Sequence, residues 1–148
     1  DIFEGRLGKL RSPIPMLSTK EVRPCCLYGV GKAFGENIAS FYHERFGISC
    51  ICIRIGGVSE DDDWRSHGTA GLSLWLSHRD AAQLVGLCID APSSVGYAVV
   101  YGISKNSLRF TEIETARDIL GYNPQDDAGV NMCPDLSTML PHTSDCDR

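Results

Sequence analysis

The 148-residue chain is predicted to be an α/β layered domain built on a parallel sheet, and only part of such a domain. Three observations carry this expectation. Apolar residues recur at threes and fours over residues 26–46, the period of an amphipathic helix. A β-branched and apolar run at 48–55 reads as a strand buried on both faces, as in a parallel sheet. Helical and extended patterns then alternate, which argues for layers of helix and sheet. Only two substantial strands are evident, fewer than an open parallel sheet usually holds, so the fold reads as incomplete.

Taken in order, residues 1–24 form an irregular lead-in punctuated by Gly5, Gly8, Pro13, Pro15 and Pro24. Leu27, Val30, Phe34, Ile38, Phe41 and Tyr42 mark one face of the first helix, and Gly47 is its stop signal. In the strand that follows, Cys50 and Cys52 alternate and so share one face as small buried hydrophobes. Residues 56–71 read as a loop whose acidic cluster, Glu60 to Asp63, is solvated. A brief extended segment spans 74–76. Ser77 then caps a helix over 79–90, with Asp80 in its first turn and Pro92 beyond its end. A second strand covers 97–103. A last helix covers 111–120, acidic early (Glu112, Glu114), basic late (Arg117) and closed by Gly121. The domain reading is therefore 1–24 lead-in, 25–128 folded unit and 129–148 loose tail.

The composition excludes several classes. Apolar content of 43% and charged content of 22% are those of a globular protein. A net charge of −5, with no run of Lys or Arg, argues against a nucleic-acid partner and leaves a small molecule or a protein. Seven cysteines, odd in number and irregularly spaced, fit reduced thiols of a cytoplasmic protein better than a disulfide framework. The four histidines (43, 67, 78, 142) do not fall into a zinc-ligand pattern, so no metal is expected. The opening residues lack a basic then apolar leader, and no apolar stretch is long enough to span a bilayer, so no membrane role is expected.

The chemistry lies in Tyr28-Gly29-Val30-Gly31-Lys32. A Tyr and a Lys four residues apart near a helix start share one face. An ammonium beside a phenol favours its ionised form, and the helix N-terminus adds positive potential. Such a phenol can exchange a proton with a sugar hydroxyl while hydride moves to a nicotinamide. Gly29 and Gly31 are expected to leave the helix face bare for a flat ring. Alone, the Tyr–Lys spacing is weak, because many helices carry a surface Lys beside a half-buried Tyr.

Further blocks follow in order: LYGVGKAFGE (27–36), ISCICIRIGGV (48–58), WLSHRD (75–80), VYGIS (100–104) and LGYNPQDD (120–127). Together they resemble the extended short-chain dehydrogenases/reductases, the NAD-dependent epimerase/dehydratase group, and within it the uronate dehydrogenase-like sugar dehydrogenases. The resemblance covers about residues 20–128 and corresponds to the C-terminal half of that fold. It implies the C-terminal part of a Rossmann-like doubly wound parallel sheet. It also implies NAD as cofactor of the intact protein and a sugar or sugar acid as substrate. Tyr28 would be the catalytic acid/base and Lys32 its partner, both at the cofactor. Ile55 and Gly56 would bring backbone to the nicotinamide, and Gly57 and Arg65 would face the substrate. Gly57 stands where a small polar residue is common, and Arg65 in the next loop would meet a carboxylate, although a plain surface Arg reads equally well. Ser77 to Asp80 resembles a structural cap, so His78 is not assigned a catalytic role. Dimers in this family often form through the Tyr-bearing helix, so Phe34, Ile38 and Phe41 belong either to a homodimer interface or to ordinary core.

The family's Gly-rich phosphate turn is not found at a strand-to-helix junction. Gly29, Gly31 and Gly35 lie inside a helix instead. The family's catalytic Ser has no counterpart either, since Ser12 and Ser18 are not set in a strand pattern. Two readings follow: a fragment of an NAD-dependent sugar or sugar-acid dehydrogenase, with an NDP-sugar epimerase as the related activity, or a non-catalytic remnant acting as an interaction module. An unpaired sheet edge and an apolar helix face would then lower stability or drive oligomerisation.

Overall fold

The computed structural model describes residues 16–20 and 22–129. The expectations for residues 1–15, for the tail from 130 onward, and for Cys133, Cys146 and His142 lie outside the described residues. Helix α1 runs Leu27–Phe46 and stops at Gly47, whose φ of +68° is the left-handed conformation that glycine adopts without strain. Strand β1 (Cys50–Ile55) pairs in parallel with β2 (Tyr97–Gly102), Cys50 opposite Tyr97 and Ile55 opposite Gly102. Between them lie a 3-10 turn at Trp64–His67, helix α2 (Gly68–Leu74) and helix α3 (His78–Ile89). Helix α4 (Glu114–Leu120) follows β2 and ends at Gly121 with φ +74°.

Alternation along the strands sends their side chains to two layers. Ile51, Ile53 and Val100 face α3 and α4, where they pack with Leu84, Ala116 and Tyr122. Burying each of these large apolar groups contributes about 1.5–3 kcal/mol. Arg54, Tyr97 and Tyr101 face the other way and meet α1 through Glu36. Cys50 and Cys52 point to that same side but are only half-buried, because α1 covers the sheet incompletely. No residue of α1 is fully buried, and Phe34, Phe41 and Phe46 are all more than half exposed. The core therefore lies on the α3–α4 side.

One segment differs from the sequence reading. Residues 68–71, expected as the end of a loop, are helical and form α2 together with 72–74. Gly71 lets the backbone pack on the Trp64 carbonyl, where a Cβ would come within 1.9 Å of the oxygen. Residues 122–128, the end of the expected folded unit, pack against the body. Tyr122, Pro124 and Ala128 are buried, and the Tyr122 hydroxyl donates to the Ile103 carbonyl at 2.9 Å. The acidic loop also does more than meet solvent: Asp62 accepts from the His78 backbone N–H and Asp63 from that of Arg65. Leu17 bridges to Thr111, which ties the lead-in to the body.

Candidate active site

Helix α1 presents Tyr28, Lys32 and Glu36 at successive four-residue steps, one above another on a single stripe. The Lys32 ammonium lies over the Tyr28 ring, 5.2 Å from its centroid, within cation–π range. Tyr28 is 74% exposed, so its hydroxyl is open to a ligand. Gly31 is as bare as the sequence implies, for a Cβ there would meet nothing within 4 Å. Gly29 is not: Pro24 covers it, 3.2 Å from where its Cβ would stand.

Glu36 is the stripe's inner end. Arg54 Nε and Nη2 donate to its two oxygens at 2.8 and 2.9 Å, a two-point fork, and Arg54 Nη1 donates to the Tyr101 hydroxyl at 3.2 Å. The Glu36 hydrogen bond holds the guanidinium well above its ordinary pKa. The Tyr97 hydroxyl donates to the Glu36 carbonyl at 3.2 Å. Burial raises the Cys52 thiol and Tyr97 phenol pKa values, and the nearby Glu36 charge adds to both. An open groove of about 460 Å³ runs along this seam, lined by Arg23, Lys32, Glu36, Arg54 and Tyr101 among others.

The remaining sequence-predicted residues lie at the end of β1 and in the loop after it. The Ile55 side chain is 60% exposed. Gly56 lies against the Leu74 carbonyl so closely that a Cβ would come within 1.9 Å of it. Gly57 extends the strand by pairing with 74–76, its N–H donating to Leu74 and its carbonyl accepting from Leu76, both at 2.8 Å. The His67 ring occupies the space over Gly57 that a side chain would need, and its buried Nε2 has no hydrogen-bond partner among the described residues. Arg65 is turned back on its own loop, paired with Asp63 at 3.2 Å and stacked 4.9 Å over Trp64. The structure thus brings Tyr28 and Lys32 together and sets Ile55, Gly56 and Gly57 in one stretch, but it does not bring Arg65 to the Tyr–Lys pair. Sequence reasoning took Arg54 only as part of the strand end that brings backbone to the cofactor, and it singled out neither Glu36 nor Tyr101. The spacing of Glu36, four residues past Lys32, was the available signal.

An exposed phenol, an adjacent ammonium and a bare helix turn fit the nicotinamide–ribose end of a dinucleotide. Among the described residues no glycine-rich strand-to-helix turn is present for its phosphates. None of the five described cysteines is in a disulfide, no group of residues able to hold a metal occurs among the described residues, and none of their helices is long and apolar enough to cross a membrane.

No protein-family model matches the chain. It is 40% identical over 110 residues to the NAD-dependent glucose-6-phosphate dehydrogenase of Haloferax volcanii, a match covering 74% of this chain and 41% of that protein. It is 38% identical over 104 residues to the uronate dehydrogenase of Pseudomonas putida, covering 70% of this chain and 37% of that enzyme. The crystal structure of uronate dehydrogenase from Agrobacterium tumefaciens superposes with a TM-score of 0.71 at 32% identity, over 88% of this chain and 47% of that one. The chain belongs to the extended short-chain dehydrogenases/reductases. A mutant of the same Agrobacterium enzyme has been solved with NAD and is equally similar in fold, with a TM-score of 0.70. This short-chain dehydrogenase/reductase chain spans less than half the length of these relatives, as the resemblance to a C-terminal half implies.

Proposed function

We propose that these residues serve an NAD-dependent oxidation of a sugar or sugar acid, with Tyr28 as the acid/base and Lys32 as its partner. The observation that carries this reading is the Lys32 ammonium over the exposed Tyr28 ring at 5.2 Å. NAD, when bound, supplies the hydride acceptor. The Tyr28 oxygen takes the proton of the substrate hydroxyl as its carbon is oxidised. Lys32 keeps positive charge beside that oxygen and donates to the cofactor ribose. Ile55 and Gly56 offer backbone to the nicotinamide, while Gly57 and Arg65 face the substrate. In that role Arg65 would exchange its Asp63 partner for a substrate carboxylate.

The test is calorimetric titration of the 148-residue chain with NAD, followed by NADH production on uronates and aldoses. Binding that is lost in Lys32→Ala and turnover that is lost in Tyr28→Phe would support the reading. Turnover undiminished in Tyr28→Phe would refute it.

A cytoplasmic setting suits the irregularly spaced thiols. For a partner, we favour a second copy meeting the outer face of α1, where Phe34, Ile38 and Phe41 are 65%, 40% and 58% exposed. Sedimentation should then report a dimer that Phe34→Asp dissociates. A monomeric wild type would exclude it.

A further inference from the structure

Glu36 follows Lys32 by four residues, the spacing at which an ammonium and a carboxylate pair across a helical turn. Lys32 does not make that pair. Among the described residues its ammonium takes part in no ion pair and lies over Tyr28 instead. The reason is across the groove, where Arg54 holds both Glu36 oxygens at 2.8 and 2.9 Å. The two side chains are only 19% and 16% exposed, so solvent screens the contact weakly. Arg54 is braced in turn by the Tyr101 hydroxyl at 3.2 Å and the Tyr101 ring at 5.5 Å. A planar fork can satisfy a carboxylate at two points, whereas an ammonium acts as a point charge.

We propose that Arg54 is a positioning residue for the Tyr28–Lys32 pair. By occupying both oxygens of Glu36, it removes the nearest carboxylate on the Lys32 stripe and leaves the ammonium to Tyr28. Without Arg54, Glu36 would stand in a part-buried groove with neither oxygen held by the fork. Among the described residues, the other cations lining this groove are Lys32, one turn back, and Arg23. Capture by Lys32 would draw the ammonium off the Tyr28 ring. The geometric claim stands by itself, and its consequence for catalysis rests on the acid/base reading above.

The inference separates from that of a plain structural brace by suppression. If Arg54 only braced the fold, removing Glu36 as well would repair nothing. If Arg54 acts by occupying Glu36, then Glu36→Gln should rescue Arg54→Met. The first readout is the NMR shift of the Lys32 side-chain methylenes in the full chain, which the Tyr28 ring current displaces. We expect that displacement to collapse in Arg54→Met and to return in Arg54→Met/Glu36→Gln. NADH production should fall about tenfold in the single variant and recover to within about threefold in the double, with melting recorded for each. Where Arg54→Met does not fold, Arg54→Lys, which can hold one oxygen only, should show an intermediate displacement. Unmoved Lys32 shifts, which would include capture of Glu36 by Arg23, overturn the inference, as does a double variant no better than the single. If the shifts collapse and recover but no variant, wild type included, binds NAD, the positioning stands and the dehydrogenase reading fails.

Discussion

The hydroxyl of Ser104, just past β2, donates across 2.6 Å to the carboxylate of Asp80, which has no exposed surface. That carboxylate also accepts the backbone N–H groups of Gln125 at 2.8 Å and Asp126 at 3.0 Å. One buried anion thus joins the start of α3, the end of β2 and the segment after α4. The surrounding contacts reinforce it. The Ser77 N–H donates to Ser104 Oγ at 3.0 Å, and Asp126 is held by both the Ser77 hydroxyl and the Arg79 guanidinium.

Removing this acceptor should cost more than any surface change. Asp80→Ala would leave the buried Ser104 hydroxyl and two part-buried backbone N–H groups without their acceptor, a loss of about 3 kcal/mol. Ser104→Ala, which leaves Asp80 two donors, should cost about 1–2 kcal/mol. Urea unfolding midpoints report both. Equal losses would mean that Asp80 is not the hub.

The buried Tyr122 phenol gives the fold an alkaline limit. Desolvation first, then the Asp80 and Asp126 charges, hold its pKa well above the ordinary value. The unfolded chain loses this proton near pH 10, the usual tyrosine value, while the folded chain retains it. The stability linked to this group is therefore fully present below about pH 10 and is lost as pH rises toward the folded pKa. Tyr122→Phe should be less stable at neutral pH by about 1 kcal/mol, for want of the bond to Ile103, yet fall less steeply in alkali. Tyr97, also raised by burial, contributes in the same direction and persists in that variant.

Two glycines should respond oppositely to alanine. At Gly56 a methyl would stand 1.9 Å from the Leu74 carbonyl, where backbone meets backbone, so Gly56→Ala should unfold or severely weaken the chain. Gly31 is in open space inside a helix, and Gly31→Ala should stabilise by about 0.5–1 kcal/mol. If a flat ring binds over this turn, the same methyl should weaken NAD affinity. Thermal melts and the calorimetric titration read the two effects separately.

Tyr28→Phe should leave the melting curve almost unchanged, because the ring is 74% exposed. Loss of an acid/base typically slows turnover by about 10² to 10⁴. A large change in stability with little change in rate would point to a structural Tyr28.

The sequence by itself determined what depends on near neighbours. The 3.6-residue period over 26–46, the stop at Gly47, the β-branched run before Gly56 and the Ser77 cap are local preferences. The structure has them as α1, Gly47 in the left-handed conformation, β1, and Ser77 accepting from the Asp80 N–H at 3.1 Å. The Tyr28–Lys32 juxtaposition follows from helix geometry alone. What only the tertiary structure decided depends on residues far apart in the chain. Helix α2 forms from a stretch with two glycines in seven residues, of poor propensity, because Gly71 docks on Trp64. Asp80 looked like a first-turn charge and is instead buried, since its donors arrive from residues 104, 125 and 126. Glu36 stands four residues past Lys32, the spacing of a helical ion pair, yet the parallel sheet brings Arg54 against it instead. Local spacing sets which groups can meet, and packing against distant segments sets which of them do.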